Sequence, residues 1–511
     1  MPGETFNHHK ILKNEDYAFN LALIGESSLN LIRKIELHLN TLGVEAYLVG
    51  GFVRDALLGR DTNDIDLAIN TDALEIASSL AEYLKGTFVV LDSTNKVGRV
   101  VLASPHGDNR QTTIDISTIF GSLESDLARR DFTVNALAVK LQDLVSDSVS
   151  TKLIDFNNGL EDLDHSIIRS IKEQNLSDDP VRLLRGVRLA FDLGFQIEPQ
   201  TRTQIQKYSS LIAQVPGERI REELLRVFLI ARGGQFIFDL DELGLLSALI
   251  PELAMTKNVS QPVEHHWDVF THSVMTVSAV DYLLRQGTWG QSTDILETVP
   301  WSNECVDYFE EPVSGGSNRR TMLKIAALLH DIAKPQTKAD IGGRTRFLGH
   351  PDEGSEISFR ILERLKFTSK EKKLAANMVK YHLRPTQMGQ PPTHRAIYRY
   401  FRDVGSEGID TLYLSLADHL ATRGPGLILA NWRQHTDVVR FVLEEHFKQE
   451  KIIKPSKLID GNDIMEVFGM KPGPQVGELL ERVREAHATG ELTTREQALE
   501  YIHNVLTEGK K

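Results

Sequence analysis

The chain has 511 residues, 41% of them hydrophobic and 25% charged, with a net charge of −13 and a single cysteine, Cys305. That length suggests roughly three or four domains with sizeable cores, the lone cysteine excludes an internal disulfide framework and a cysteine-rich zinc site, and the acidic balance argues against nonspecific coating of nucleic acid while leaving a local basic groove open. No apolar run approaches the roughly 18–20 residues of a membrane span, and "MPGETFNHHK" lacks the apolar core of a signal peptide, so a cytoplasmic protein without membrane contact is expected.

Residues 1–45 read as amphipathic helix, closing on "LNLIRKIELHLNTLG". Next comes "AYLVGG" (Ala46–Gly51), a β-rich run ending in two glycines. "FVRDALLG" (Phe52–Gly59) has helical spacing, and "DIDLAI" (Asp64–Ile69) alternates as a strand. Period two puts Asp64 and Asp66 on one strand face. Paired carboxylates suit hard divalent cations, and Gly50 and Gly51 let backbone approach a phosphate at a helix N-terminus. The ensemble points to two-metal phosphoryl chemistry; its bland alternative is an edge strand carrying two solvated acids.

The strand-like runs "GTFVVLD", "GRVVLAS", "QTTIDIST" and "NALAVKL" complete a mixed α/β region. Within it, "DLARRDFTVNALA" (Asp126–Ala138) carries Arg129, Arg130 and Asp131. An arginine pair can neutralise a triphosphate, and an aspartate can accept from ribose hydroxyls. In "DDPVRLLRGVRLAFDLGF" (Asp178–Phe195), Asp178 or Asp179 is expected to cap a helix whose first turn holds Pro180. Asp179 and Arg182 share a helix face. Cytosine and adenine both present an exocyclic amine beside a ring nitrogen acceptor, so a carboxylate and a guanidinium together form a protein template for C and A. A helical salt bridge is the structural alternative.

Taken together, "VGGFVRDALLGRDTNDIDLAI", "RRDFTVNALA" and "DDPVRLLRGVRLAFDLGF" resemble, in order and spacing over about 1–250, the class II tRNA nucleotidyltransferases and bacterial poly(A) polymerases. The resemblance implies an α+β fold: a nucleotidyltransferase palm with a mixed sheet and helices, followed by mostly helical domains. It assigns Asp64 and Asp66 to catalysis and Mg²⁺. It places Gly50, Gly51, Arg54, Arg129 and Arg130 near the triphosphate or its supporting turns, and Asp131 near the ribose. Asp179 and Arg182 become the base-reading pair, with Arg185 and Arg188 on the same nucleotide-binding helix. "PGERIREELLR" (Pro216–Arg226) resembles a later neck motif, in which Glu218 and Arg219 stabilise helices. Two departures stand out: Asp178-Asp179 replaces the usual Glu-Asp, and only ten residues separate Ser117 from Ala128. Many CCA-adding relatives have a longer flexible loop there, so a CC-adding or otherwise restricted enzyme is expected.

Farther along, His272, His330, Asp331, His350, His382 and Asp418 recur in helical contexts. Imidazoles with carboxylates and no thiols suit Mn²⁺, Fe²⁺, Ni²⁺, Co²⁺ or Mg²⁺. In this order the six resemble the HD-domain metal-dependent phosphohydrolases, with Lys334 as a phosphate contact and His265, His266, His394 and His419 outside the pattern. The acidic, Gly- and Ser-rich stretch 286–318 reads as an insertion or mobile loop, and "LIDGNDIMEVFGMKPGPQVGELLERV" (Leu458–Val483) resembles the tail of the tRNA enzymes. No repeat of 20–50 residues is evident. The expected organisation is a head at 1–145, a helical base- and RNA-binding neck at 146–255, an HD domain at 262–425 and an RNA-binding tail at 426–511. The expected function is addition of CMP, AMP or both to a tRNA or other RNA 3′ end from CTP or ATP, with hydrolysis by the HD domain. Poly(A) synthesis is the alternative within the class. A phosphohydrolase acting on a cyclic or terminal phosphate or a nucleotide, and an RNA-binding regulator with an inactive head, are the alternatives outside it. No stable protein partner is inferable.

Overall fold

The computed structural model describes residues 18–103, 112–144, 150–290, 294–451 and 458–508. The chain divides into two compact units, 1–215 with 243–248 and 216–242 with 249–511.

The first unit is built on one sheet of eight strands. These are β1 (Ala18–Asn20), β2 (Ala46–Val49), β3 (Asp64–Ile69), β4 (Thr87–Asp92), β5 (Val97–Leu102), β6 (Thr112–Thr118), β7 (Leu137–Lys140) and β8 (Ser150–Asp155), in the order β1-β8-β7-β2-β3-β6-β5-β4. β3 and β6 run parallel; the other pairs are antiparallel. β3 lies inside the sheet because Ile65, Leu67, Ala68 and Ile69 are buried, while Asp64 at its start stays exposed. The edge strand β4 leaves Val89, Val90 and Leu91 between 40 and 49% exposed. β8 lies past the expected head boundary of 145 and still pairs with β7 and β1.

The helices of this unit include α1 (Glu26–Thr41), α2 (Gly51–Leu57), α3 (Ala73–Leu84), α4 (Leu123–Leu127), α5 (Gly159–Asp164), α6 (Glu173–Asp178) and α7 (Val181–Leu193). Of the amphipathic helix expected over 1–45, α1 covers 26–41; residues 1–17 lie outside the described residues. The ten residues between Ser117 and Ala128 are taken up by the end of β6, a short turn and α4, whose Ser122 and Ser125 form a reciprocal cap. Before α7, Asp179 accepts the Arg182 N–H through its backbone carbonyl at 3.0 Å. Pro180 holds the N-cap position, where it has no side-chain acceptor to offer.

The second unit is helical. Helices Val269–Leu283, Arg319–Leu329, His350–Arg364, Ser369–Tyr381 and Gly408–Arg423 pack around a shared interior. Asp268, Asn318 and Thr368 cap three of them by accepting from backbone N–H groups. The stretch expected to be an insertion or mobile loop instead holds helices Asp294–Thr298 and Asn303–Glu310 and a short hairpin, with Ile295, Cys305 and Phe309 buried. Its polar composition hid these and other inward-facing positions, among them Val299 and Val313. Helices Gly461–Phe468, Pro474–Ala488 and Arg495–Glu508 close the chain around a small apolar cluster of their own, including Ile464, Leu479, Val483 and Ile502.

Candidate active and metal-binding sites

In the first unit, the chain leaves β2 through Gly50, at φ +71°, and enters α2 at Gly51. A Cβ on Gly50 would stand 2.7 Å from Asp66 Oδ2, so glycine is required both for the backbone angle and for the approach. The Gly51 N–H donates to Asp66 Oδ2 at 3.2 Å. Asp64 Oδ1 accepts from Thr113 Oγ1 at 2.6 Å. The parallel register sets Asp115 directly opposite Asp66, where Arg99 grips it with two hydrogen bonds of 2.6 and 2.7 Å. Burial pushes the Asp66 carboxyl up to about 6; Arg130 and the Gly51 N–H pull the other way, while the charges of Asp115 and Asp64 add to the rise. Asp64, Asp66 and Asp115 thus stand on one face of the paired strands β3 and β6, carboxylate neighbours of a kind that suits a divalent cation. Asp115 is absent from the sequence-based set. "TIDIST" shows only alternation, and strand pairing is what brings it here.

The expected phosphate and ribose residues form a chain of contacts behind this point. Arg54 is buried, with Nε and Nη2 on Asp55 and Nη1 on Asn135 Oδ1 at 2.6 Å. Asn135 donates to Asp131, which also accepts the Phe132 N–H and an Arg185 hydrogen bond of 3.2 Å. Burial alone would raise the Asp131 carboxyl, but Arg185, Asn135, Arg182 and the Phe132 N–H outweigh it and hold it low. Arg54 and Asp131 thus have their polar groups committed to the protein. Arg129 is half exposed beside Asp126, and Arg130 lies by Gly50 and Asp66 with its Nε unpartnered among the described residues. Arg182 donates to Arg129 O at 2.8 Å and to Asn175 O at 3.2 Å, and its Nε lies 3.5 Å from Asp179 Oδ2. Arg188 is buried in α7. The Asp179–Arg182 pair is therefore fastened to the arginine turn that borders Asp66.

In the second unit, all six expected residues converge. The ligand atoms of His272, His330 and Asp418 lie within 4.8 Å of one another, and so do those of Asp331, His350 and His382. His330, His350 and His382 each donate Nδ1–H to a carbonyl, of Ala327, Phe347 and Val379, at 2.7–2.8 Å. A carbonyl can only accept, so the proton sits on Nδ1; this leaves Nε2 of His350 and His382 as a lone pair, while His330 Nε2 faces Asp331 at 3.2 Å, which favours a second proton on His330. His350 and His382 turn these Nε2 atoms toward each other at 3.3 Å. Burial pushes His382 down to about 3, with His330 adding to the fall, and burial lowers His350 as well, so a proton is a poor bridge. A divalent cation resolves the opposed lone pairs. Asp331 reaches His350 at 3.4 Å and Lys334 at 2.6 Å; burial works to raise its carboxyl, and His330 and Lys334 hold it well below the usual range. His265, expected to be a bystander, stands edge-on to His272 with ring centroids 5.5 Å apart. His419 stacks on His435, and His394 pairs with Glu445.

Comparison with known proteins follows this layout. The Poly A polymerase head domain model matches residues 46–169, and the model of an RNA and SrmB-binding site of polymerase A matches 194–256. The HD domain model matches 292–423, a range that leaves out His272, and a tRNA nucleotidyltransferase domain 2 model matches 427–502. The CC-adding tRNA nucleotidyltransferase of Thermus thermophilus is 32% identical over 469 residues, 90% of this chain and 93% of that protein. The A-adding tRNA nucleotidyltransferase of Deinococcus radiodurans is 33% identical over 465 residues, 89% of this chain and 94% of that protein. A solved CCA-adding enzyme in complex with ATP shares the fold with a TM-score of 0.60 at 22% identity, covering 95% of this chain and 97% of its own.

Proposed function

The chain belongs to the tRNA nucleotidyltransferase family, and from that premise we propose that it transfers CMP, AMP or both from the triphosphate to the 3′ end of tRNA. The carrying observation is the placement of Asp64, Asp66 and Asp115 on one face of the paired strands β3 and β6, with Asp66 against the Gly50–Gly51 turn and Arg130 alongside. Asp64 and Asp66 would hold Mg²⁺, which when bound supplies Lewis acidity toward the triphosphate and the attacking hydroxyl. Gly50 keeps the approach to the carboxylates open. Arg129 and Arg130 bring positive charge to the phosphates, and the network through Asn135, Asp131 and Arg185 fixes their turn. Asp179 and Arg182 select C or A by accepting from the exocyclic amine and donating to the ring nitrogen. Asp179→Ala is expected to weaken discrimination of C and A against U and G by about 1–3 kcal/mol, the worth of a bidentate base contact, read as kcat/KM ratios across the four triphosphates.

The addition is partial rather than a full CCA. The short connection filled by α4 supports this reading, since little chain is free to reshape the pocket between bases. The test presents tRNAs ending before C74, C75 or A76 with each labelled triphosphate and resolves products to one nucleotide. Completion of CCA at comparable rates for all three steps would overturn partial addition, and no incorporation on any substrate would overturn the activity itself.

The opposed Nε2 atoms of His350 and His382 support a second activity, phosphoester hydrolysis with a divalent transition metal or Mg²⁺ held by His272, His330, Asp331, His350, His382 and Asp418. In that reading Lys334 contacts a phosphate oxygen. His382→Ala should release metal, as counted by elemental analysis, while nucleotide addition persists; full metal retention would count against the site. A cytoplasmic location accords with these roles, and among the described residues no helix is long and apolar enough to cross a membrane.

A further inference from the structure

The chain between two residues of the histidine cluster, Asp331 and His350, forms a hairpin. Its strands, Lys338–Ile341 and Arg344–Phe347, pair antiparallel and turn through Gly342 and Gly343, at φ +63° and +74°. One face of the hairpin is fastened to the cluster. Lys334 Nζ lies 2.6 Å from Asp331 and 5.3 Å from the centre of the Phe347 ring. The Phe347 carbonyl accepts from His350 Nδ1 at 2.7 Å, and Lys338 donates to Ser260 Oγ at 2.7 Å. Residues paired across the strands share a face, and the faces alternate along each strand. The register therefore sets Arg344, opposite Ile341, and Arg346, opposite Ala339, on the outer face. Both arginines are exposed, whereas Thr345 and Phe347 are half-buried.

We propose that this outer face grips the phosphates of a nucleic-acid strand and leads its end to the histidine cluster. Neither Arg344 nor Arg346 makes an ion pair or a hydrogen bond among the described residues. From Lys334 to His350 the chain carries Lys334, Lys338, Arg344 and Arg346 against one acid, Asp340, in a protein of net charge −13. That acid lies on the inner face with Lys338. Arg344 and Arg346 stand about 6.7 Å apart along the strand. Cations repeated along a line suit a ligand with an anion at every unit. Beside them Ile341 and Leu348 are 46 and 66% exposed. Bare apolar surface among guanidinium groups favours a strand that brings bases to lie on it as well as phosphates. A run of carboxylates in an acidic protein segment would leave that surface uncovered. The grip gives the cluster a preference for polynucleotide ends over free nucleotides. That purpose rests on the hydrolytic reading of the cluster; the binding does not.

Trypsin cuts after arginine, so Arg344 and Arg346 report their own accessibility. The full chain in EDTA is digested briefly, alone or with a short oligouridylate, with uridine monophosphate or with polyglutamate. Mass spectrometry counts cleavage at the two arginines against cleavage elsewhere in the chain. The oligouridylate should slow cleavage at both about ten-fold, and high salt should cancel the protection, as expected of phosphate contacts that release counterions. The mononucleotide and polyglutamate should not protect. Absence of protection by the oligouridylate overturns the grip, and equal protection by polyglutamate overturns its assignment to nucleic acid. With metal restored, Arg344→Gln combined with Arg346→Gln should lower kcat/KM about ten-fold on an oligonucleotide ending in a 3′-phosphate or a 2′,3′-cyclic phosphate, and leave it unchanged on the matching mononucleotide. An unchanged ratio, or hydrolysis of the mononucleotide alone, overturns the preference. The four tryptophans, Trp267, Trp289, Trp301 and Trp432, all belong to the second unit, and their emission during thermal unfolding checks that the variant folds. Hydrolysis of neither substrate by the parent would overturn the reading of the cluster, with the grip still decided by the protection.

Discussion

Asp66 combines two demands that conflict in the metal-free protein. In the proposed site its carboxylate would be charged to hold a cation, yet burial favours the neutral form and pushes its titration from the ordinary 3.8 to about 6. Between those values the native state binds more protons than the unfolded state, so metal-free stability falls as pH rises through that window. Asp66→Asn should therefore be more stable than the parent in EDTA at pH 7. The difference should vanish near pH 4, where the parent carboxyl is mostly protonated in the native state; thermal unfolding at the two pH values checks this. The sequence makes Asp64, Asp66 and Gly50 legible, because alternation along one strand and a glycine pair before a helix are local patterns. Asp115 is not legible, because it gains its place by pairing with β3, a partner distant in sequence.

At the scale of elements, Glu371 shows how a helix start can serve two purposes. It completes the cap of the 369–381 helix, with Thr368 N–H donating to it at 2.7 Å, and it also accepts from Arg221 and Ser317 at 2.6 and 2.5 Å. Glu371 is fully buried and Arg221 nearly so. Glu371→Ala should cost about 3–5 kcal/mol, because it strands a buried guanidinium as well as removing a cap; denaturant unfolding followed by tryptophan emission reads the second unit directly. The Thr368-to-Glu371 spacing is a cap visible in the sequence, whereas Arg221 is 150 residues away. The same division explains the other elements. β3, β5 and β6 follow from alternation, and the helical histidine region from its periodicity. The 294–310 helices escape notice because they are short and sit in a stretch rich in Gly, Ser and acidic residues.

Across the whole molecule, the two candidate metal sites fall in different compact units, and they answer differently to chelation. The His350–His382 lone-pair opposition exists only without a cation, so a bound metal stabilises the second unit selectively. Mn²⁺ or Ni²⁺ at about one hundred times its dissociation constant should add about 2.7 kcal/mol to the unfolding free energy of that unit. EDTA should abolish the gain, and His382→Ala should not show it; calorimetry with and without metal separates the cases. The resemblance of the motifs made the family and the α+β plan readable from the chain. The division into compact units was not readable, because residues 243–248 pack with the first unit and not with their sequence neighbours.

β4 has one further consequence. It ends the eight-stranded sheet and exposes Val89, Val90 and Leu91 in succession, with no lysine among them. An open strand edge with apolar side chains is a template for a second chain, and proteins ordinarily guard such edges with charge or proline. During refolding, when local chain concentration is high, this edge is where two copies would zip together and leave solution. Val90→Lys should lower light scattering during dilution from denaturant and raise the recovered yield, while nucleotide addition by the folded enzyme stays as it was. Unchanged scattering would locate the aggregation hazard elsewhere in the chain.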